Sequence, residues 1–237
     1  MRNNLEIDSP KHVALIMDGN RRWAKKRCMP IMNGHLKGAE RISEILEAAI
    51  KLNIKVITAY AFSTENWLRP KEETNFLLKL LKLYLFSKCD LMKKNGIRLN
   101  VIGDVAKFAS DITCILQDTL QETKEGVKLD FVLAINYGGR DEICRATRKI
   151  LDDYDKKKIE KEQVTEDFIQ SYLDTGRWPD PDLIIRTAGE KRLSNFLLWQ
   201  SSYSEFYTSE VLWPDFSARH FIEAIEEYKK RKRKFGE

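Results

Sequence analysis

Five short apolar runs punctuate this chain: Val13–Met17, Val56–Phe62, Ile97–Ile102, Leu129–Ile135 and Leu183–Ile185. Several are continuous rather than alternating, the pattern of parallel strands buried on both faces. A shorter strand candidate lies at Val211–Trp213. Between the runs, helical spacing covers His35–Leu52, Glu72–Lys94, Val105–Lys124, Glu142–Asp153, Thr165–Leu173 and Ala218–Lys234. Such alternation predicts one α/β domain, an open and mainly parallel sheet flanked by helices. The 237 residues suit a single core, with a polar tail over residues 1–11 and the domain over 12–237. There is no internal repeat and no low-complexity linker.

Charge and composition narrow the function classes. Lys and Arg total 41 against 36 Asp and Glu, a net +5, which suits an anionic small substrate or an anionic membrane surface without demanding nucleic acid. No apolar run is long enough to span a bilayer, and the N-terminus carries no secretory segment. Cys28, Cys89, Cys114 and Cys144 are far apart and form no CxxC pair, as expected of a reduced cytoplasmic protein.

In an open parallel sheet, ligands sit beyond the carboxyl ends of the strands. The first run ends in Asp18-Gly-Asn-Arg-Arg-Trp23, a carboxylate, a small-residue turn and two guanidinium groups. Strand, turn and charged helix start is the layout of a phosphate site. A carboxylate beside a diphosphate repels it unless a divalent cation intervenes, so the segment reads as a Mg²⁺-diphosphate site; the bland alternative is a turn with solvated charges. The later runs are followed by Ser63-Thr-Glu-Asn-Trp-Leu-Arg69, by Asn136-Tyr-Gly-Gly-Arg140 and by Arg186-Thr-Ala-Gly-Glu-Lys-Arg192-Leu-Ser194. Arginines recur at these ends, and guanidinium forks match phosphate oxygens. No P-loop, no GxGxxG after a strand and no HExxH is present, and three histidines make an imidazole metal site improbable. The Asp152-Asp-Tyr-Asp155 cluster and the Lys156–Glu162 stretch read as solvated surface. The Phe76–Phe86 helix is apolar on more than one side, which fits core packing or a cavity wall. The basic end, Lys229 to Lys234, fits either solvation of a helix C-terminus or attraction to anionic lipid or phosphate.

Taken together, these motifs resemble those of the cis-prenyltransferases. His12-Val-Ala-Leu-Ile-Met-Asp-Gly-Asn-Arg-Arg-Trp-Ala24, Gly34-His35 with Gly38, and Ala61-Phe-Ser-Thr-Glu-Asn-Trp67 with Arg69-Pro70 are similar to the family's first signatures. Asn136–Arg140, Asp182–Glu190, Arg192, Ser194–Gln200, Glu205 and Val211–Phe216 match the rest, in family order from His12 to Gly236.

The resemblance implies a homodimeric transferase of isoprenoid biosynthesis. It would condense isopentenyl diphosphate repeatedly with farnesyl diphosphate, using Mg²⁺. A long product such as undecaprenyl diphosphate would carry cell-wall sugars; a shorter or longer product is the alternative. By the same resemblance Asp18 is catalytic and binds the metal with Glu205, and Asn66 is the position assigned as proton acceptor. Gly19, Asn20, Arg21, Arg22, Trp23, His35, Ser63, Thr64, Glu65, Trp67 and Arg69 match substrate-contacting positions, as do Arg186, Arg192, Leu193 and Ser194 around isopentenyl diphosphate. Three positions depart from the pattern. Ile31 stands for a common arginine, a loss that Lys26 or Arg27 would replace; Lys191 stands for a metal-ligating histidine, and Ala188 for a frequent glycine. A growing hydrocarbon needs an apolar channel, with Leu77, Leu81, Leu85 and Phe86 as wall candidates and Leu129 at the far end. The competing class is a membrane- or RNA-binding module built on Arg21, Arg22, Lys25 and Lys26, in which Asp18 has no use.

Overall fold

A computed structural model describes residues 9–231. The tail before Ser9 and the basic residues after Arg231 lie outside the described residues. Six strands, β1 (His12–Ile16), β2 (Val56–Ser63), β3 (Ile97–Ile102), β4 (Leu129–Tyr137), β5 (Leu183–Arg186) and β6 (Glu205–Thr208), form one sheet in the order β3-β4-β2-β1-β5-β6. Every pairing is parallel. β1, β2, β4 and β5 are buried almost throughout, as their continuous apolar runs require.

Seven α-helices flank the sheet among the described residues: α1 (Asn20–Lys26), α2 (Ile31–Lys51), α3 (Lys71–Asn95), α4 (Ser110–Thr123), α5 (Gly139–Asp155), α6 (Glu166–Tyr172) and α7 (Ala218–Lys230). The larger core packs α2, α3, α4 and α7 on one face through Ile45, Leu85, Met92, Leu116 and Phe221. The smaller one, with Tyr137, Trp178, Phe196 and Leu197, covers the other. Two expected elements differ. Val211–Trp213 is not a strand; the sixth strand is Glu205–Thr208, where Pro214 follows too closely on Val211 to permit a ladder there. The helix expected from Val105 is a short 3₁₀ turn, Val105–Lys107, then α4 from Ser110.

The chain leaves β1 toward β2 and later returns to β1's other side with β5, so the switch point of the topology lies between β1 and β5. Their register sets Ile16 opposite Arg186. The loops beyond approach closely because Gly19 adopts φ +109°, and a Cβ on it would meet the Ala188 Cβ at 3.1 Å and the Leu212 side chain at 3.0 Å. Ala188 itself sits at φ +71°, so the departure from glycine leaves a strained alanine against the site.

At the opposite end of β1, His12 is buried. Its Nδ1 donates to the Pro179 carbonyl at 2.6 Å, and its Nε2 accepts from the Thr58 hydroxyl at 2.7 Å. Burial holds the imidazole neutral, lowering its pKa to about 4. The unfolded chain binds this proton near pH 6.5. Stability is therefore complete above pH 6.5 and is lost as pH falls toward 4, by ~3 kcal/mol for this group. Urea unfolding should show a lower midpoint at pH 5 than at pH 7.5, and His12→Gln, though less stable overall, should flatten that dependence; an equally steep profile in the variant would count against it.

Candidate active site

One large cavity, about 990 Å³, opens at the carboxyl ends of β1, β2 and β5, at the upper end of the range for ligand pockets. Its polar rim and apolar floor come from different elements. Asp18 follows β1, Ser63 ends β2, and Arg186 ends β5. Arg186 is 4% exposed and donates to the Asp18 carboxylate at 2.8 Å and to the Ser194 hydroxyl at 2.9 Å. A further N–H reaches the Arg192 carbonyl, while Nε has no partner. The Asp18 backbone is fixed too: its carbonyl accepts from the Thr187 hydroxyl at 2.6 Å and from the Trp213 N–H at 3.0 Å.

Arg22 lies across the rim, 3.4 Å from Asp18 and 3.1 Å from Glu190, and donates to the Ala188 carbonyl at 3.0 Å. Glu190 also pairs with Arg192. Six cationic side chains, Arg21, Arg22, Lys25, Arg69, Arg186 and Arg192, line the cavity against three carboxylates, Asp18, Glu65 and Glu190. That excess of positive charge, placed where guanidinium forks converge, is built for a multiply charged anion.

Beside the rim, Glu73 is buried. It accepts from Arg69 at 3.0 Å and lies 3.4 Å from His35 and 3.8 Å from Arg21. Burial lowers the His35 pKa, with Glu73 opposing, so the ring is neutral near pH 7. In the turn after β2, the Asn66 Oδ1 accepts from the Ser63 N–H at 3.2 Å and its Nδ2 donates to the Ser63 hydroxyl at 2.9 Å. Burial alone would raise the Glu65 pKa. Hydrogen bonds from Asn195, the Glu65 N–H and the Ser63 and Thr64 hydroxyls outweigh it and hold the carboxyl below its ordinary value. Below the rim the floor turns apolar, lined by Ala39, Ile42, Leu77, Leu78, Leu81, Leu133 and Ile135.

Most of the expected site residues gather here: Asp18, Gly19, Asn20, Arg21, Arg22, His35, Ser63, Glu65, Asn66, Arg69, Arg186, Arg192 and Ser194 all line the cavity. Trp23, Thr64, Trp67 and Leu193 do not. The Trp23 ring turns away, donating to Asp215 at 2.7 Å under the Arg27 guanidinium, and Trp67 donates to Asn136 at 2.8 Å while packing on Phe62 and Phe108. Thr64 sits against Gly138, and Leu193 packs on the smaller core.

Glu205 is separated from Asp18. It opens β6 opposite Leu183, at the amino end of the strands, and its carboxylate accepts from Arg231 at 2.8 Å. A strand's length thus parts it from the level of Arg186, so within one chain it cannot share a cation with Asp18. Among the described residues no group of three or more His, Cys, Asp or Glu is placed to hold a metal.

The channel assignment needs three corrections. Leu77 and Leu81 line the cavity, but Phe86 is 76% exposed: nine residues beyond Leu77, it has rotated by half a turn to the outer face of α3. Leu85 and Leu129 are packed into the core and do not line the cavity, although Leu129 does begin β4 at the end away from the rim. Of the two candidates to replace the arginine lost at Ile31, Arg27 is engaged with Asp215 and Lys26 does not line the cavity; Lys25, which was not one of them, lines it one helical turn after Arg21. That spacing was a usable signal for Lys25; nothing local in the sequence marks Tyr60 or Asn195 as cavity residues.

Comparison with known proteins agrees with this arrangement. Residues 16–236 match the family model described as "Putative undecaprenyl diphosphate synthase". The isoprenyl transferase of Aquifex pyrophilus is 49% identical over 232 residues, covering 98% of each chain, and that of Clostridium tetani is 48% identical over 233 residues, covering 98% of this chain and 91% of the other. Lavandulyl diphosphate synthase from Lavandula x intermedia, solved in complex with dimethylallyl diphosphate, superposes with a TM-score of 0.94 at 35% identity, covering 97% of this chain and 99% of that one. A "probable undecaprenyl diphosphate synthase" from Campylobacter jejuni superposes with a TM-score of 0.82 at 36% identity, covering 98% and 100%. With its parallel sheet, its arginine-rimmed cavity and this likeness along nearly its whole length, the chain belongs to the undecaprenyl diphosphate synthase family and is a cis-prenyltransferase.

Proposed function

We propose that this enzyme condenses isopentenyl diphosphate repeatedly with farnesyl diphosphate to make a long cis-polyprenyl diphosphate, with undecaprenyl diphosphate, the lipid carrier for cell-wall glycans, as the product. The observation that carries the reading is that the two carboxylate oxygens of Asp18 meet two different sets of donors: one meets Arg22, in the segment that follows β1, and the other meets Arg186, which ends β5 and holds Ser194 and the Arg192 carbonyl. Each set suits one diphosphate, and a hydrocarbon tail fits the leucine-lined floor.

The chemistry assigned to these residues is electrophilic alkylation. Arg22 holds the allylic diphosphate and takes up the charge that develops as it leaves. Arg186, Arg192 and Ser194 orient the isopentenyl diphosphate so that its double bond faces the allylic carbon. Asn66 is a weak base whose carbonyl oxygen already accepts from Ser63. It orients the substrate from which the proton departs, and a diphosphate oxygen is the stronger acceptor. Neutral His35 adds no repulsion to Arg69 or Arg21.

The donor set at the rim fits Mg²⁺, which takes one or two protein carboxylates and completes its shell with phosphate oxygens and water. Asp18 is the carboxylate at the junction of the two sides, and its oxygens are freed when the neighbouring guanidinium groups turn to phosphate. When bound, the cation neutralises diphosphate charge. A homodimer and peripheral contact with the membrane that receives the product belong to the same proposal; no described helix is long and apolar enough to cross a membrane.

Labelled isopentenyl diphosphate with farnesyl diphosphate should give long products sized by chromatography, and EDTA should abolish them. Asp18→Asn should lower kcat at least 100-fold while the protein stays folded; near wild-type turnover would overturn the assignment. Ala39→Trp and Leu81→Trp should shorten the products by several isoprene units, and an unchanged length distribution in both would discard the floor as the tail's site.

A further inference from the structure

The arginine of the Asn136–Arg140 segment does not serve phosphate: Arg140 is exposed and does not line the cavity. The turn instead receives one side chain. The main-chain carbonyl of Asn195 accepts from the Gly139 N–H at 2.7 Å, and its Oδ1 accepts from the Arg140 N–H at 2.9 Å. A Cβ at Gly138 would stand 2.7 Å from the Asn195 Nδ2 and 2.7 Å from the Thr64 hydroxyl, so only glycine leaves room. The Nδ2 donates to Glu65 at 2.9 Å. Asn195 thus ties together the loops that follow β2, β4 and β5.

Its own loop would not hold this shape unaided. Ser194, Asn195 and Leu197 have φ of +51°, +64° and +45°, a left-handed conformation costly for any residue with a Cβ and least so for asparagine. Arg186 pins the loop from the cavity side, through the Arg192 carbonyl and the Ser194 hydroxyl. Asn195, itself at the cavity wall, pins it to the Gly138–Gly139–Arg140 turn.

We propose that Asn195 is a positioning residue, with the Gly138–Gly139–Arg140 turn as its socket, that presets Arg192 and Ser194 against the Ser63–Asn66 turn for the incoming isopentenyl diphosphate. This rests on the reading above, in which Arg192 and Ser194 hold that diphosphate. The bond to Glu65 is the part a substitution can reverse. Asn195→Asp keeps the acceptor for Arg140 but sets two carboxylates face to face. Adding Glu65→Gln restores a hydrogen bond of opposite direction, the introduced amide donating to the introduced carboxylate.

Steady-state kinetics on the full-length enzyme decides. N195D should raise KM for isopentenyl diphosphate at least tenfold at pH 8 and leave KM for farnesyl diphosphate within twofold. The penalty should shrink toward pH 6, as the two carboxylates come to share a proton. N195D/E65Q should return the isopentenyl diphosphate KM to within threefold of that of E65Q alone. An unchanged KM in N195D would overturn the proposal. So would a parallel rise in both KM values with a fall in melting temperature, or a double variant no better than N195D. If N195D does not fold, the comparison of N195D/E65Q with E65Q carries the test: similar KM values support the swap, and a tenfold gap refutes it. Wild-type enzyme that transfers no prenyl group would instead sink the reading on which this rests.

Discussion

A buried guanidinium must be paired, and in this protein the pairing of Arg186 with Asp18 organises everything around it. The contact is 2.8 Å, between a residue that ends β5 and one that follows β1. Breaking such a pair from one side leaves an uncompensated charge and costs several kcal/mol. The parallel register brings the two together, since Ile16 faces Arg186 and Asp18 lies two residues on. The Thr187 hydroxyl and the Trp213 N–H, both donating to the Asp18 carbonyl, then hold Asp18 at a single height above the sheet. The pair sits at the switch point, where the strand order leaves a crevice that no crossover helix can fill.

Polarity follows from the same geometry. Side chains beyond the strand ends are free of the sheet and can be charged, so six cations meet three carboxylates there. Side chains a few residues lower belong to β2, β4, α2 and α3 and must be apolar to pack. One cavity therefore has an anion-binding rim and a hydrocarbon floor. The loops that form the rim carry the conformational cost, in the left-handed residues Ala188, Ser194, Asn195 and Leu197. Strain of this kind persists only where surrounding contacts over-determine it: Arg186 holds Ser194, the Gly139–Arg140 turn and Glu65 hold Asn195, and Arg22 and Val211 hold Ala188.

The fold was legible because its strands are continuous apolar runs; five of the six stand where the pattern placed them. The sixth escaped because Glu205–Thr208 is a half-buried edge strand of mixed polarity, while the more apolar Val211–Trp213 draws the eye. The rim was legible too, since its residues cluster directly after strands. What could not be read were direction and distance. Trp23 and Trp67 sit inside the right motifs with rings turned to Asp215 and Asn136. Glu205 belongs to the pattern yet lies at the other end of its strand. Phe86 continues an apolar run past the point where helix rotation carries it into solvent. Asn195 was hidden because its function is to bond three loops, and no periodicity announces that.

The central claim is that two diphosphates flank Asp18 with a hydrocarbon tail on the leucine floor. A crystal structure with a non-reactive thio analogue of farnesyl diphosphate, isopentenyl diphosphate and Mg²⁺ tests it most directly. The account predicts one diphosphate against Arg22 and Gly19, the other against Arg186, Arg192 and Ser194, and the farnesyl tail between α2 and α3 beside Leu77 and Leu81. Both diphosphates on one side of Asp18, or a tail running out over the solvent face of α3, would contradict it.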